Sequence, residues 1–155
     1  MSQPAVPPSL PPNVRVFEMV AAAVPARALW VAAEVGVADH VSDAPRSVDE
    51  LAAATGSHAG ALYRILRLLA ACGVFEEHAD RRFSHTEMSL TLRSDHPTRA
   101  RAAVRMMGMP EVWKGLGAID TSLATGGTGW DAAMGQPIFD WLGGHPAEAS
   151  LFNDA

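Results

Sequence analysis

The chain has 155 residues, which suits one domain or slightly more, and 48% of them are apolar, enough for a core and against global disorder. Its net charge of −5 disfavours non-specific nucleic-acid binding, because an acidic surface repels the phosphate backbone. The one cysteine, Cys72, excludes an intramolecular disulfide, and its position in an apolar helical pattern predicts a buried, reduced thiol.

The N-terminal residues 1–13 have the composition of a disordered, partly extended arm, with five prolines and no basic residue. They do not resemble a secretory signal peptide, which begins with positive charge. The apolar stretch that follows is interrupted by Glu18, Arg27 and Glu34, so we expect no membrane span. The sequence therefore predicts a cytoplasmic protein that does not bind a membrane.

Two apolar helices follow the arm, at residues 14–24 and 26–37, and Pro25 is expected to separate them. The second helix is apolar nearly all round, which is typical of a helix buried on both sides. A domain of this size rarely encloses a helix completely, so the extra face predicts contact with a second copy in a homodimer. The predicted interface residues are Phe17, Val20, Trp30, Val31 and Val35.

A winged-helix pattern is predicted over residues 47–85. The capping box Ser47 to Glu50 opens a helix that runs to Thr55, and a second helix covers residues 58–72. Two short strands, at residues 74–77 and 82–85, form a two-stranded β wing. The predicted fold is mainly α, with a helical dimerisation and winged-helix domain at residues 14–94.

Winged helices occur in many DNA-binding regulators, so a transcriptional regulator is an alternative. The helix that would read bases begins at Ser57, His58 and Ala59, which offer little for base recognition. Residues 47–83 hold four arginines against five acidic residues, a balance that disfavours DNA. We therefore favour a structural role for this pattern and expect no nucleic-acid partner.

Residues 95–155 are predicted to be a helical linker segment. The expected helices cover residues 98–108, 110–125, 137–142 and 146–155, after a short helix at 87–92. The glycine-rich residues 126–129 follow a helix instead of a strand, so they predict a flexible connection and not a nucleotide-binding loop. Four arginines, at positions 93, 99, 101 and 105, are expected to form a solvated helix face.

The sequence predicts no metal site, no cofactor site and no catalytic residue of its own. None of the six histidines lies at metal-ligand spacing from another His, Cys or acidic residue, and no nucleophile motif is present. Methionines and aromatic residues are dense in the last third, and most such residues are simply core. Their density also suits a pocket for a flat apolar ligand, with Asn153 as a polar contact. The candidate pocket residues are Met106, Met109, Trp113, Phe139, Phe152 and Asn153.

Several segments together resemble a known family. They are residues 28–37, 47–56, 62–69, 73–76, 83–86, 90–93, 137–142 and 152–155, with Trp113 at a position where the family often has a pocket tryptophan. In these segments the chain resembles the S-adenosylmethionine-dependent O-methyltransferases of bacterial polyketide and antibiotic pathways, related to the plant caffeate type. The resemblance covers residues 14–155, and it is specific only when the segments are taken together.

The resemblance implies a function for the chain: it would dimerise and wall the substrate pocket of an enzyme that methylates a hydroxylated aromatic natural product. In that family S-adenosylmethionine is bound by a Rossmann-like domain, which also carries a histidine base, and no such domain is visible in this sequence. We therefore expect the chain alone to bind no cofactor and to be inactive. Its end within a predicted helix without a C-cap suggests a truncated chain or a split gene. A stand-alone heterodimerisation subunit is the other open alternative.

Overall fold

A computed structural model of the chain describes residues 10–42 and 44–155. It begins with two consecutive helices, α1 at Pro12–Ala21 and α2 at Ala23–Val35, which meet at Ala22. The predicted break between the two helices is present, but it lies before Pro25, which is inside the first turn of α2. Because proline has no N–H to donate to the carbonyl four residues earlier, the helical hydrogen bonding is interrupted on the N-terminal side of Pro25.

The predicted arm extends too far along the chain. Helix α1 begins at Pro12, and a proline is favourable in a first helical turn because its missing N–H would have no intrahelical partner there. Residues 12 and 13 are therefore helical, whereas residues 1–9 of the predicted arm lie outside the described residues. Helix α2 ends at Val35, followed by Gly36 with a left-handed φ of 69°.

The helices α1 and α2 also form an apolar stretch whose surface is mostly uncovered. By length and composition alone, Pro12–Val35 is long and apolar enough to cross a membrane, although only 17% of its most apolar window is buried. Helix α1 buries none of its residues, whereas α2 buries Ala28, Ala32 and Ala33 against the rest of the chain. A core helix of a soluble protein passes the same test of length and composition, so this stretch is weak evidence for a membrane span.

The central part is a helix–turn–helix followed by an antiparallel hairpin. Strand β1 is Arg46–Ser47, α3 is Val48–Thr55, α4 is Ala59–Ala71, β2 is Phe75–His78 and β3 is Arg82–His85. The predicted capping box is present: the backbone N–H of Glu50 donates to the Ser47 hydroxyl, and the Glu50 carboxylate accepts from the backbone N–H of Ser47.

The two predicted wing strands are present and pair with each other as β2 and β3, and an additional strand that the sequence did not predict gives the sheet the order β1–β3–β2. Arg46 pairs with Phe83 and Ser47 with Arg82, so the residues just before α3 form the third strand. Two residues are too few to show a period of two in a sequence, and the partner strand lies 35 residues further along the chain.

The core lies between α2, α3, α4 and the sheet. Its most enclosed members include Val37, Val48, Leu51, Leu66 and Phe83, each with 0% of its surface exposed. Cys72, predicted to be buried, is exposed at the C-terminal cap of α4. The buried stripe of α4, formed by Leu62, Leu66 and Leu69, therefore ends three residues before Cys72.

The remaining residues form short helices that pack on α2 and on one another. They are α5 at Glu87–Leu90, α6 at Ala100–Met107, α7 at Pro110–Gly117, α8 at Ile119–Thr125, α9 at Gly129–Met134, α10 at Ile138–Gly143 and α11 at Pro146–Asp154. Helix α6 packs on α2, α11 on α6, and α9 on α7. The predicted single helix at 110–125 is divided at Ala118, and the predicted loop at 126–129 already contains the first residue of α9.

Candidate functional site

A largely apolar cavity of about 460 Å3 lies among α6 to α11. Three exposed side chains, Met107, Leu116 and Ile119, surround its open side, so the cavity is accessible from solvent. The apolar lining consists of Met106, Met107, Met109, Val112, Leu116, Ile119, Trp130, Ile138 and Phe152. Cavities of this size and character are typical of sites for small organic ligands.

Close contact between two helix backbones creates one side of the cavity. A Cβ atom on Gly129 would lie 2.4 Å from the carbonyl oxygen of Gly115, and one on Gly115 would lie 3.3 Å from the Cα of Trp130. Only glycine fits at position 129, and α7 and α9 therefore approach backbone to backbone. The Thr128 hydroxyl accepts from the N–H of Asp131 and caps α9 at this contact.

A stack of rings fixes Trp130 at the cavity. Its ring meets that of Trp141 edge to face with centroids 5.5 Å apart, and Trp141 stacks on His145 at 3.8 Å. Trp141 is buried, and the Nδ1 atom of His145 lies 2.7 Å from the Trp141 carbonyl oxygen. Trp130 is thus held on two sides, by the glycine contact through its backbone and by Trp141 through its ring.

Helix α2 supports the cavity from behind, through Gly108. Arg27 donates a hydrogen bond to the Gly108 carbonyl and lies over the Trp30 ring, 3.8 Å from its centroid. The Trp30 indole N–H donates to the carbonyl of Arg105 at 3.2 Å. These contacts fix the segment between α6 and α7 that includes the buried Met109, which lines the cavity.

Three of the six predicted pocket residues, Met106, Met109 and Phe152, line this cavity. Phe139 is 72% exposed and meets Phe152 edge to face at 6.1 Å, so it lies beside the cavity. Asn153 is exposed on α11 and is not among the lining residues. The pocket assignment of these six residues remains a prediction, with the geometry favouring the first three.

Trp113 lies at a different cavity, of about 640 Å3, between α2, α4 and α7. Val31, predicted at the dimer interface, lines this second cavity with Trp113 and Arg27. Met109 and Trp113 are four residues apart, but Met109 precedes α7, and the change of direction between α6 and α7 separates Trp113 from Met106.

The other predicted interface residues fall into two groups. Phe17 and Val20 are 71% and 72% exposed on α1, as free side chains of an interface would be in a single copy. Val35 packs against the core, and Trp30 packs against Gly108 inside the chain. The strongly exposed residues of this predicted set are therefore on α1, and Trp30 is committed to an internal contact.

The predicted solvated arginine face is partly wrong, because two of its members join α6 to α2. Arg105 makes two hydrogen bonds to the Glu34 carboxylate, at 2.9 and 3.0 Å. Arg101 donates to the Ala33 carbonyl and pairs with Asp39. The hydrogen bond from Arg105 lowers the pKa of Glu34, against a smaller opposing effect of burial, and Glu34 in turn raises the pKa of Arg105.

Two serine–histidine pairs form where the sequence predicted none. In the first, His85 Nδ1 lies 2.9 Å from Ser89 Oγ, and the second is on the hairpin. His78 Nε2 lies 2.7 Å from Ser84 Oγ, and the Glu76 carboxylate lies 3.8 Å from the same Nε2 atom. An orienting acid in a triad contacts the other ring nitrogen, so this arrangement does not prepare a nucleophile. Within residues 10–42 and 44–155, no group of three or more His, Cys, Asp or Glu side chains is placed to hold a metal ion.

Comparison with protein families decides which group this fold represents. The profile described as the O-methyltransferase dimerisation domain matches residues 17–95, about half of the chain. The chain belongs to this family. The family predicted from the sequence is thereby confirmed, and so is its mainly helical fold class.

Individual relatives of this O-methyltransferase dimerisation domain match a larger share of the chain than the family profile does. Phenazine O-methyltransferase PhzM of Lysobacter antibioticus is 37% identical over 129 residues, covering 83% of this chain and 38% of that protein. The crystal structure of LaPhzM matches with a TM-score of 0.88 at 34% identity, covering 94% of this chain and 44% of that one.

A third relative was solved with its ligands. It is the O-methyltransferase NcsB1 from neocarzinostatin biosynthesis, in complex with S-adenosylmethionine and 2-hydroxy-5-methyl naphthoic acid. Its TM-score is 0.70 at 32% identity, covering 82% of this chain and 39% of that one. The chain therefore spans about two fifths of the length of these relatives.

The sequence reasoning missed six apolar lining residues of the cavity, which are Trp130, Met107, Val112, Leu116, Ile119 and Ile138. Trp130 is the one for which the sequence contains a usable signal. It was recognised as one of many aromatic residues, but residues 126–129 were assigned to a loop. A signal was present: Thr128 and Asp131 have the spacing of a helix cap followed by an acidic residue in the first turn. That signal would have placed Trp130 in the first turn of a helix.

Proposed function

We propose that this chain forms the dimerisation and substrate-pocket part of an S-adenosylmethionine-dependent O-methyltransferase that acts on a hydroxylated aromatic natural product. The observation that carries the proposal is the cavity of about 460 Å3, lined by methionine, aliphatic and aromatic side chains. A flat ring system gains free energy by leaving water for such a surface, and unbranched methionines adapt to its outline. Relatives named for phenazine and crystallised with a naphthoic acid support this class of ligand.

The part of the reaction assigned to this chain is binding and orientation. The cavity holds the ring, excludes water from its faces and leaves the hydroxyl toward the open side near Leu116 and Ile119. Orientation of this kind is a large part of enzymatic rate enhancement, because the reacting atoms are brought together before the chemical step.

The described residues do not fit S-adenosylmethionine itself. A cradle for that cofactor needs a strand, a glycine turn and a helix whose N–H groups face the ligand. Residues 126–128 instead join two helices, α8 and α9, and Gly129, the first residue of α9, is occupied in the backbone contact with Gly115. Methyl transfer therefore requires a cofactor-binding site outside the described residues.

The proposal includes a cytoplasmic homodimer in which a second copy covers α1. The exposed apolar side chains of α1, including Phe17 and Val20, would otherwise remain in water, and the matched family is a dimerisation domain. Phe17→Asp should leave the fold intact, because α1 buries no residue, and should convert a dimer to a monomer in sedimentation velocity at micromolar concentration. A wild-type chain that sediments as a monomer would contradict the dimer.

A membrane is the other surface that could cover α1 and α2. Flotation of the wild-type chain with anionic and with zwitterionic vesicles distinguishes the two. A dimer that stays in the aqueous fraction supports the proposal, whereas a monomer that floats with both kinds of vesicle contradicts it.

Binding of a simple hydroxylated ring tests the pocket directly. We expect 2-naphthol to bind the wild-type chain in isothermal titration calorimetry, and Leu116→Asp to weaken that binding at least about tenfold, because it places a charge at the cavity mouth. The matched control is Leu123→Asp on α8, since Leu123 is 92% exposed and does not line the cavity. No binding by the wild type, or equal loss in both variants, would contradict the pocket.

A further inference from the structure

The second cavity, between α2, α4 and α7, is an apolar groove with two arginines that form no ion pair within the described part of the chain. Its apolar and aromatic lining includes Ala28, Val31, Ile65, Leu68 and Trp113. Arg27 is half-buried there, donates to the Gly108 carbonyl and lies over the Trp30 ring. Arg64 lines the same groove and is exposed. The groove therefore suits an apolar surface that carries an acidic group, because few water molecules compete with an ion pair there.

Helix α1 has a surface of this kind. Val14, Phe17, Ala21 and Val24 recur at helical spacing along α1 and the start of α2, and they form an apolar stripe. Glu18 is the one acidic residue of α1. It comes four residues after Val14 and three before Ala21, so it lies at the edge of the stripe. Its carboxylate is exposed and forms no ion pair among the described residues.

Helix α1 does not reach the groove of its own chain. Ala22, the one residue between α1 and α2, has a helical φ of −60° and ψ of −20°, so α1 continues beyond the N-terminal end of α2 and does not fold back along it. None of residues 12–21 lines the groove. The lengths nevertheless match, since the ten residues of α1 cover about 15 Å and the groove runs about 12 Å along α2, from Ala23 to Val31.

We infer that this groove is the docking site for helix α1 of a second copy of the chain, in a reciprocal two-fold dimer. With the axis near Ala22, each α1 runs antiparallel beside α2 of the other copy, and residue 18 lies level with residue 26. Glu18 of each copy then pairs with Arg27 and Arg64 of the other. The inference rests on the proposed homodimer and adds to it the surface that α1 covers and the charges that fix its register.

Two charge reversals at exposed positions test the pairing. Glu18→Arg and Arg64→Glu each bring like charges together at both ends of the reciprocal dimer. We expect either variant alone to raise the dissociation constant of the dimer at least about tenfold in sedimentation equilibrium. An equimolar mixture of the two variants should associate again, to within about fivefold of the wild type, because the mixed dimer has residues of opposite charge at positions 18 and 64 at both ends.

A matched control and a pair of neutral variants complete the test. Arg67→Glu makes the same change of charge on α4, but Arg67 is exposed and does not line the groove, so the dissociation constant should change less than about twofold. Glu18→Gln and Arg64→Gln remove each charge without introducing repulsion. If the two residues pair, the double variant should dimerise no more weakly than the weaker of the single variants. Far-UV circular dichroism verifies the fold of every variant.

The possible results separate the inference from the proposed function. If the wild type is a dimer but the reversed variants dimerise as tightly, if their mixture stays monomeric, or if the effects of the neutral changes simply add, the inference is overturned and the homodimer stands in another arrangement. A wild-type monomer overturns the homodimer and the inference together. A monomer that floats with vesicles would instead assign α1 and the groove to a membrane surface.

Discussion

The contact between Trp30 and Gly108 gives the sharpest prediction about stability. A Cβ atom on Gly108 would lie 1.9 Å from Cδ1, 2.2 Å from Cγ and 2.5 Å from Cβ of Trp30. These atoms are at the base of the indole, so a change of rotamer at its tip cannot relieve the overlap. In Gly108→Ala the indole must leave its place, and with it go the cation–π contact from Arg27 and the hydrogen bond from Trp30 to Arg105.

The magnitude follows from the separate effects. Overpacking of this kind destabilises a fold by about 1–3 kcal/mol, and each lost hydrogen bond adds about 1 kcal/mol. Gly108 has a φ of −94°, which alanine adopts easily, so the reduced entropy of the unfolded chain returns up to about 1 kcal/mol. We expect Gly108→Ala to lower the free energy of unfolding by about 1–4 kcal/mol.

Urea denaturation followed by far-UV circular dichroism, at one fixed protein concentration, measures this free energy. The matched control is Gly117→Ala at the end of α7, where an added Cβ meets nothing within 4 Å and should be neutral or slightly stabilising. Removing the whole side chain, including the Cβ that would lie 2.5 Å away, should relieve the overlap, so Gly108→Ala with Trp30→Gly should be no less stable than Trp30→Gly alone. A loss below about 0.5 kcal/mol, or strict additivity of the two changes, would refute the reasoning.

Three further predictions concern pH and ligands. The lowered pKa of Glu34 means that its ion pair with Arg105 stabilises the fold at neutral pH, and that this stabilisation is lost as the pH falls below about 5. In urea denaturation, Glu34→Gln should therefore lower the free energy of unfolding by under about 1 kcal/mol at pH 7, and by less at pH 4. The chain alone should show neither binding of S-adenosylmethionine in calorimetry nor methyl transfer to 2-naphthol, and micromolar affinity would contradict the fold assignment. It should also bind no defined DNA operator at physiological salt; a retarded band in an electrophoretic mobility assay with a steep salt dependence would contradict this.

The N-terminal half of the fold could be predicted from its sequence because its signals are local. Ser47 and Glu50 form a cap three residues apart, and Gly56 ends α3 with a left-handed φ of 65°. Helix α4 has its apolar residues at regular helical spacing, and they form the buried stripe. Strand β1 was not predicted, because Arg46 is extended through its pairing with the distant residue Phe83 and not through its sequence neighbours.

The cavity was harder to predict because several short helices build it. The three-residue spacing of Met106 and Met109 agrees with their shared cavity, whereas Trp113 lies at the other cavity, on α7, beyond the break between Met107 and Pro110. The break at Ala118 lies where Gly129 packs, since a Cβ on that glycine would be 3.2 Å from the Ala118 carbonyl oxygen. Tertiary contact, and not local preference, therefore determines where α7 ends and α8 begins.

The meeting of Gly115 and Gly129 has a consequence for how this protein can change. The spacing of α7 and α9 is set by main-chain atoms that no substitution elsewhere removes, so the frame of the cavity is independent of the residues that line it. Met106, Ile138 and Phe152 can then be exchanged for smaller, larger or more polar side chains while the helices keep their places. A library that varies these three positions and leaves both glycines untouched should yield folded proteins with different ligand preferences, whereas one that varies either glycine should yield few folded proteins.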